Sequence, residues 1–233
     1  MFGRISKRYD LLNTIMTGGR HHAWRRMAVD LAVGDVVGPA LDVATGTGDF
    51  ALDLAGKDSL TGVYGIDFTP QMLSIAAVKA GRTRLAGKLS LMLGDAHALP
   101  FEDESFVCAT IGFGVRNFTD LRGALGEVER VLKPGGRLAI LEIVRPEGNR
   151  VLSRLLPIYF RHVTPLIGAL FAADRAAYTY LPESVDEFLS ASRLAAMMGD
   201  AGLKLVARRS LGLGTVAILV GEKARPESSD SSP

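Results

Sequence analysis

At 233 residues, 48% of them hydrophobic and 22% charged, the chain is long enough for one well-buried α/β domain and does not require two. Its 27 basic residues against 25 acidic ones leave a net charge of +2 and no sustained basic stripe, which speaks against a nucleic-acid partner. A single cysteine, Cys108, excludes an internal disulfide and any multi-cysteine metal site, and it fits a reducing compartment. Cys108 lies in an apolar run and reads as a small core residue. Arg4, Lys7, Arg8 and Asp10 interrupt any apolar run near the start, so no signal peptide is expected. Residues 163–173 are the most lipid-compatible stretch, but they are too short to span a bilayer and contain Pro165. The expectation is a cytoplasmic protein.

In chain order, residues 3–17 read as a helix, with Ile5, Tyr9, Leu12 and Met16 at helical spacing, ended by Gly18-Gly19. A second helix is expected over 21–32, where Trp24, Met27 and Leu31 form a packing face. After a loop at 34–39 comes the stretch that organises the rest, LDVATGTGDF, residues 41–50. It starts as a strand, breaks at Gly46-Thr47-Gly48, and passes directly into an apolar helical run from Phe50. The two glycines let the backbone turn sharply beneath a ligand, and the N–H groups of the following helix start point into that turn.

A strand over 61–66 ends at Asp67, close to the spacing at which a carboxylate catches ribose hydroxyls. Thr69-Pro70 suits a helix start, threonine as N-cap and proline at the first helical position, and that helix should end near Gly81. Further strands are expected over 89–93, ending in Gly94-Asp95-Ala96, and over 106–111, ending in Gly112-Phe113-Gly114. A helix over 121–132 leads to Lys133-Pro134-Gly135-Gly136, read as a tight turn into a strand over 137–143. Strands at 203–209 and 215–221, joined by Leu211-Gly212-Leu213-Gly214, suit an antiparallel hairpin. Strands joined by crossover helices imply a parallel sheet covered on both faces, and an antiparallel edge is compatible with it. Residues 151–180 break the rhythm: apolar, mostly helical and interrupted by prolines, they read as an insertion. Residues 225–233 lack an apolar anchor and are expected to be disordered.

Strand, glycine turn, helix, strand and acid together describe a site for an adenosine-bearing cofactor. Gly46-x-Gly48-x-x-Ala51 alone also fits the dinucleotide fingerprint of nicotinamide-dependent oxidoreductases. Asp49 points away from that reading, because it sets a carboxylate where a pyrophosphate would lie, whereas an ammonium or sulfonium would be welcome there. Asp95-Ala96 offers a carboxylate and a backbone N–H that suit an adenine edge, although Asp95 by itself reads better as a turn residue after glycine.

LDVATGTGD, GIDFTPQML, GDAHALPF and LKPGGRL together resemble a class I S-adenosylmethionine-dependent methyltransferase. YDLLN (9–13), His21-x-x-Trp24, GFGVRNFTD (112–120), YTYLPES (178–184) and GTVAILVGEK narrow the resemblance to the quinone-biosynthesis C-methyltransferases that act on demethylmenaquinone and the related ubiquinone precursor. The resemblance runs from about residue 2 to 223. It implies a Rossmann-like fold with a seven-stranded, mostly parallel sheet and an antiparallel C-terminal hairpin. The domain would cover 1–224, with a helical lid over 1–33 and a helical substrate cap over 150–182.

It also implies residue roles. Gly46, Thr47 and Gly48 would line the methionine part of S-adenosyl-L-methionine, Asp67 would hold the ribose, Asp95 and Ala96 would read adenine, and Gly112 would line the pocket. Tyr9 would close over the site, or else pack in the core. Arg116 and Asn117 would carry the chemistry: Arg116 stabilises a developing phenolate, Asn117 orients the ring oxygen, and the proton leaves through water or His21. In the plain structural alternative Arg116 pairs with an acid, Asn117 caps Thr119-Asp120, and His21 is a satisfied structural histidine. No metal is called for. The implied partner is a polyprenyl quinol, for whose tail residues 151–171 would form a tunnel or lie in transient contact with the inner face of the cell membrane, Arg150, Arg154 and Arg161 toward the headgroups, unless that segment only buries its own apolar face. A homodimer is compatible with this reading. Val107 replaces the family's usual aspartate, and Ile143-Val144 stand where the family tends to Phe-Ser, which bears on the identity of the quinone.

Overall fold

The structure is a computed structural model, and its described residues are Thr14, Thr17, 19–147 and 189–226. Tyr9, nearly all of the helix expected over 3–17, the cap over 150–182 and the tail from 227 onward lie outside the described residues.

Seven strands form one sheet: β1 Gly38–Val43, β2 Leu60–Asp67, β3 Leu89–Leu93, β4 Phe106–Gly112, β5 Leu132–Ile143, β6 Leu203–Leu211 and β7 Val216–Lys223. Their order is β3-β2-β1-β4-β5-β7-β6. The first five pair in parallel, while β7 runs antiparallel to both β5 and β6, as the hairpin at 203–221 requires. The described helices are α1 His21–Val33, α2 Asp49–Ala55, α3 Pro70–Gly81, α4 Leu121–Val131 and α5 Ala191–Asp200. The chain leaves β1 toward β2 and β3, then returns to lay β4 on the other side of β1. That reversal opens a crevice beyond the carboxyl ends of β1 and β4, where ligands of open α/β sheets bind.

Two apolar layers hold the sheet. Along β5, Leu138 and Ile140 belong to the layer under α4 and α5, whereas Ala139 and Leu141 belong to the layer under α1 and α2. All four are fully buried, so β5 reads as a continuous apolar run, as a strand covered on both faces must. The buried residues of α4, Ala124, Leu125, Val128 and Val131, recur at helical spacing. Truncating Leu125 to alanine should cost about 2–5 kcal/mol. Cys108 is wholly buried, and burial pushes its thiol up to about 12, in keeping with an inert core residue.

Three local readings change. Lys133-Pro134-Gly135-Gly136 is not a turn before the strand but an irregular stretch within β5: Phe106 pairs with Leu132 and Cys108 with Arg137, so the four residues are accommodated out of register. Gly135, at φ 78°, permits this. Thr69 does occupy the N-cap of α3 with Pro70 inside, but its side chain caps nothing; its backbone N–H donates to Asp67 Oδ1 instead. Helix α5 has no counterpart among the expected elements. Its sequence signals are the Ser190 cap, which accepts from the Arg193 N–H, and Leu194 and Met198 four residues apart.

Candidate functional site

The glycine turn is held from below by a buried acid. Asp42, at 1% exposure in β1, accepts hydrogen bonds from the Thr45 hydroxyl at 2.6 Å and the Thr110 hydroxyl at 2.7 Å. Burial nevertheless raises its carboxyl to about 7. Ala44, Gly46 and Gly48 all take positive φ, at 54°, 55° and 82°. Each glycine has its own reason. A Cβ on Gly48 would lie 2.8 Å from that of Ala76, so its absence lets α2 and α3 pack. A Cβ on Gly46 would meet nothing closer than 4.0 Å, so there the bare backbone faces open space.

Asp67, 7% exposed, spans the turn and the next helix. Its Oδ2 accepts the Gly46 N–H and its Oδ1 the Thr69 N–H, each at 2.8 Å. A carboxylate oxygen has two lone pairs, so one acceptor position per oxygen remains for a vicinal diol. Gly112 lines the crevice as expected, and it also makes room for a ring: a Cβ there would fall 2.3 Å from Phe50.

Asp95 stands at the rim, beside a cavity of about 220 Å³ walled in part by Ile66, Phe68 and Ala96. The His97 backbone N–H, at 3.0 Å, and its Nδ1, at 2.6 Å, both meet Asp95 Oδ1, and they hold that carboxyl below its ordinary range. His97 Nε2 accepts the Asp120 N–H, so the neutral ring carries its proton on Nδ1. Asp120 also caps α4, accepting from the Gly123 N–H. The histidine thus ties the rim to α4. The sequence reading passed over His97 and Phe68, although both flank the acids it singled out.

Asp49 is not a bare carboxylate. Its oxygens pair with Arg25 Nη1 at 3.1 Å and Lys79 Nζ at 2.8 Å, and Arg25 also binds Asp53. Burial alone would raise the Asp49 carboxyl, but the two cations outweigh it and hold the group below its ordinary range. Lys79 Nζ also donates to the Thr47 hydroxyl at 3.0 Å. With two cations matching Asp49 and Asp53, the turn carries little net charge, and Asp49 loses the selective power against a pyrophosphate that the sequence suggested.

His21, 4% exposed, lies in the wall of the crevice with Thr47 and Gly112, and its Nδ1 is 2.8 Å from the Thr17 hydroxyl. Asn117 lies in the same crevice, with Asp67 and Gly112. Arg116, its neighbour in sequence, faces elsewhere. It helps line a separate cavity of about 350 Å³, which shares only Phe118 and Thr119 with the Asp95 cavity. Its Nη1 is 2.7 Å from Glu142 Oε1, with side chains 10% and 5% exposed. The pairing with an acid that the plain structural alternative calls for is therefore present. Glu142, at the end of β5, was passed over in the sequence; an acid between apolar residues at a strand's carboxyl end was the signal. Among the described residues no group of three His, Cys, Asp or Glu could hold a metal ion, and no helix is long and apolar enough to cross a membrane.

The sheet order, the reversal at β1 and β4, and a glycine turn with acids at the ends of β1, β2 and β3 define the class I methyltransferase fold. Solved structures agree: a Thermotoga maritima protein titled a SAM-dependent methyltransferase, possible histamine N-methyltransferase, aligns with TM-score 0.65 and 20% identity, covering 95% of this chain and 97% of its own. The [4+2]-cyclase SpnF aligns with TM-score 0.67 and 21% identity over 88% and 81%. At such identities the likeness speaks for fold alone, and the cyclase shows that the fold does not dictate the reaction. The family is a separate finding. The model of the ubiE/COQ5 methyltransferase family matches residues 1–223, and the chain belongs to that family. Similar relatives are the demethylmenaquinone methyltransferases of Thermus thermophilus, 45% identical over 96% of this chain and 100% of the relative, and of Deinococcus radiodurans, 44% over 96% and 91%. The ubiquinone/menaquinone biosynthesis C-methyltransferase of Geobacter sulfurreducens is 40% identical over 96% and 87%. This membership, not the charge of Asp49, sets aside the nicotinamide alternative.

Proposed function

We propose that this chain methylates a ring carbon of a demethylmenaquinol-type polyprenyl hydroquinone, with S-adenosylmethionine as the methyl donor. The observation that carries the reading is nearly full-length similarity, at 40–45% identity, to proteins named for that reaction. The crevice fits the donor's chemistry. Gly46 exposes backbone where a ligand can lie against it, Asp67 keeps acceptor positions for two ribose hydroxyls, and the Phe68–Ala96 slot beside Asp95 suits a flat base. When bound, the donor supplies a methyl group on a sulfonium, an electrophile that needs no metal.

Gly46 and Thr47 would hold the amino-acid end, and Gly112 at the end of β4 and Asn117 in the turn after it face the same space, whereas Gly48 does not line it. The acceptor ring belongs in the cavity beside Arg116, whose volume of about 350 Å³ falls within the range of small-molecule sites. A phenol with a pKa near 10 is only about a thousandth ionised at neutral pH, so the site must favour the anion before carbon can attack. Arg116, which lines that cavity together with Arg122, would be the cation that does so. The polyprenyl tail calls for an apolar path or a membrane face, and residues 150–182, expected to furnish it, lie outside the described residues. Incubating the purified chain with demethylmenaquinol and labelled S-adenosylmethionine should yield a product one methyl group heavier. A chain that binds the donor yet leaves every demethylquinol unchanged would refute the substrate class.

A further inference from the structure

Glu142 carries an unspent acceptor at the edge of the cavity assigned to the ring. Its Oε1 is taken by Arg116 Nη1 at 2.7 Å and by the Ile143 N–H at 2.9 Å. Its Oε2 is shut away from solvent and accepts no hydrogen bond among the described residues. Buried carboxylate oxygens rarely stay unsatisfied in a native fold, and one that does calls for a reason. The residue itself lines the cavity, together with Arg116, Thr119 and the apolar side chains of Ile143, Val144 and Leu189. Asp120 and Arg122 also line the cavity, and a ligand hydroxyl that displaces the packing over Oε2 meets an acceptor that lacks a donor among the described residues.

We propose that Glu142 is the base of the reaction, its Oε2 taking the proton of the acceptor's ring hydroxyl; this rests on the function proposed above. The charge balance favours it. Arg116 and Glu142 pair opposite charges at 2.7 Å, so a phenolate arriving beside the intact pair meets a guanidinium already matched by a carboxylate. If the hydroxyl proton passes to Glu142, the O–H bond breaks as the Oε2–H bond forms, and the guanidinium exchanges a carboxylate partner for the phenolate. No new net charge enters the cavity. The electron pair left on oxygen reaches the adjacent ring carbon, which bonds to the methyl group as the carbon–sulfur bond breaks with its pair on sulfur. The ring C–H proton then leaves to solvent, Glu142 returns its proton to the ring oxygen, and the carboxylate is restored. His21 is less suited, because it lies on the glycine-turn side of the crevice with Nδ1 against Thr17.

The test uses the full chain with demethylmenaquinol and S-adenosylmethionine, and two variants. Glu142→Gln keeps an oxygen for Arg116 but cannot take a proton. Its kcat should fall at least a hundredfold with donor affinity by calorimetry close to the parent's, both measured well below a thermal midpoint that the broken Arg116 ion pair lowers. Glu142→Ala should be as slow and should regain at least tenfold in rate with added formate, which a merely structural role would not give. A Glu142→Gln rate within threefold of the parent, or a slow Glu142→Ala that formate leaves unchanged, overturns the base while the methylation stands. Failure of the parent itself to methylate the quinol overturns the proposed function, and the base with it.

Discussion

Replacing Asp67 with alanine tests the cofactor half of the site most sharply. Its carboxylate accepts two backbone N–H bonds at 2.8 Å and keeps acceptor positions for two ligand hydroxyls. Hydrogen bonds to a charged group are worth about 1.5–3 kcal/mol each, so two lost to the ligand weaken donor binding by about 3–6 kcal/mol, roughly 10²–10⁴-fold in Kd. The Gly46 and Thr69 N–H groups also lose their acceptor. At about 1–2 kcal/mol each this lowers the thermal midpoint by about 5–15 °C. Calorimetric titration with S-adenosylmethionine, well below the variant's midpoint, separates the two effects. Asp67→Asn, which keeps one acceptor oxygen, should fall between parent and alanine in both. A folded Asp67→Ala that binds the donor within threefold of the parent would refute the assignment.

Three further outcomes follow from particular contacts. Asp42 carries a carboxyl raised from 3.8 to about 7. The folded state therefore holds a proton that the unfolded chain releases near pH 4. Stability from this group is full below pH 4 and is lost as the pH rises through 7, by roughly 4 kcal/mol. Denaturant titrations between pH 4 and 8 should show Asp42→Asn lacking that decline. Gly112→Ala should lower stability by about 1–3 kcal/mol, because its Cβ would sit 2.3 Å from Phe50, and Phe50→Leu in the same chain should recover part of the loss in a thermal melt. Arg116→Ala leaves Glu142 a buried charge without its partner, a loss of about 3–5 kcal/mol. Turnover should collapse while the folded variant binds the donor within about threefold, and adding Glu142→Gln should restore stability but not activity.

What the sequence made legible was local. The strands β1 and β2, the glycine turn and the acid ending β2 are each written within about ten residues, and local composition and spacing suffice to read them. The partners of the charged groups were not legible. Asp49 meets Arg25 from α1 and Lys79 from α3, 24 and 30 residues away, and Arg116 meets Glu142 across 26 residues on a neighbouring strand. Only the packing of helices and the strand order bring these together, and they change the chemistry: Asp49 ceases to be a free anion, and Arg116 becomes half of a pair. The Lys133–Gly136 stretch misled for a related reason, since proline and glycine punctuate turns and also irregular strand starts, and the sequence does not say which. Helix α5, although its cap and apolar spacing are local, spans only Ala191–Asp200, too short for its period to stand out beside the apolar segment before it.

The account stands on a ring carbon of a quinol, seated in the cavity beside Arg116, taking the methyl group of a donor held in the crevice. Its most direct test supplies the chain with demethylmenaquinol and S-adenosylmethionine carrying a ¹³C methyl group, and reads the product by carbon NMR. The account predicts one labelled methyl bonded to ring carbon, absent when Asp67→Ala replaces the parent. A label on oxygen, or unmethylated quinol alongside tightly bound donor, would contradict it.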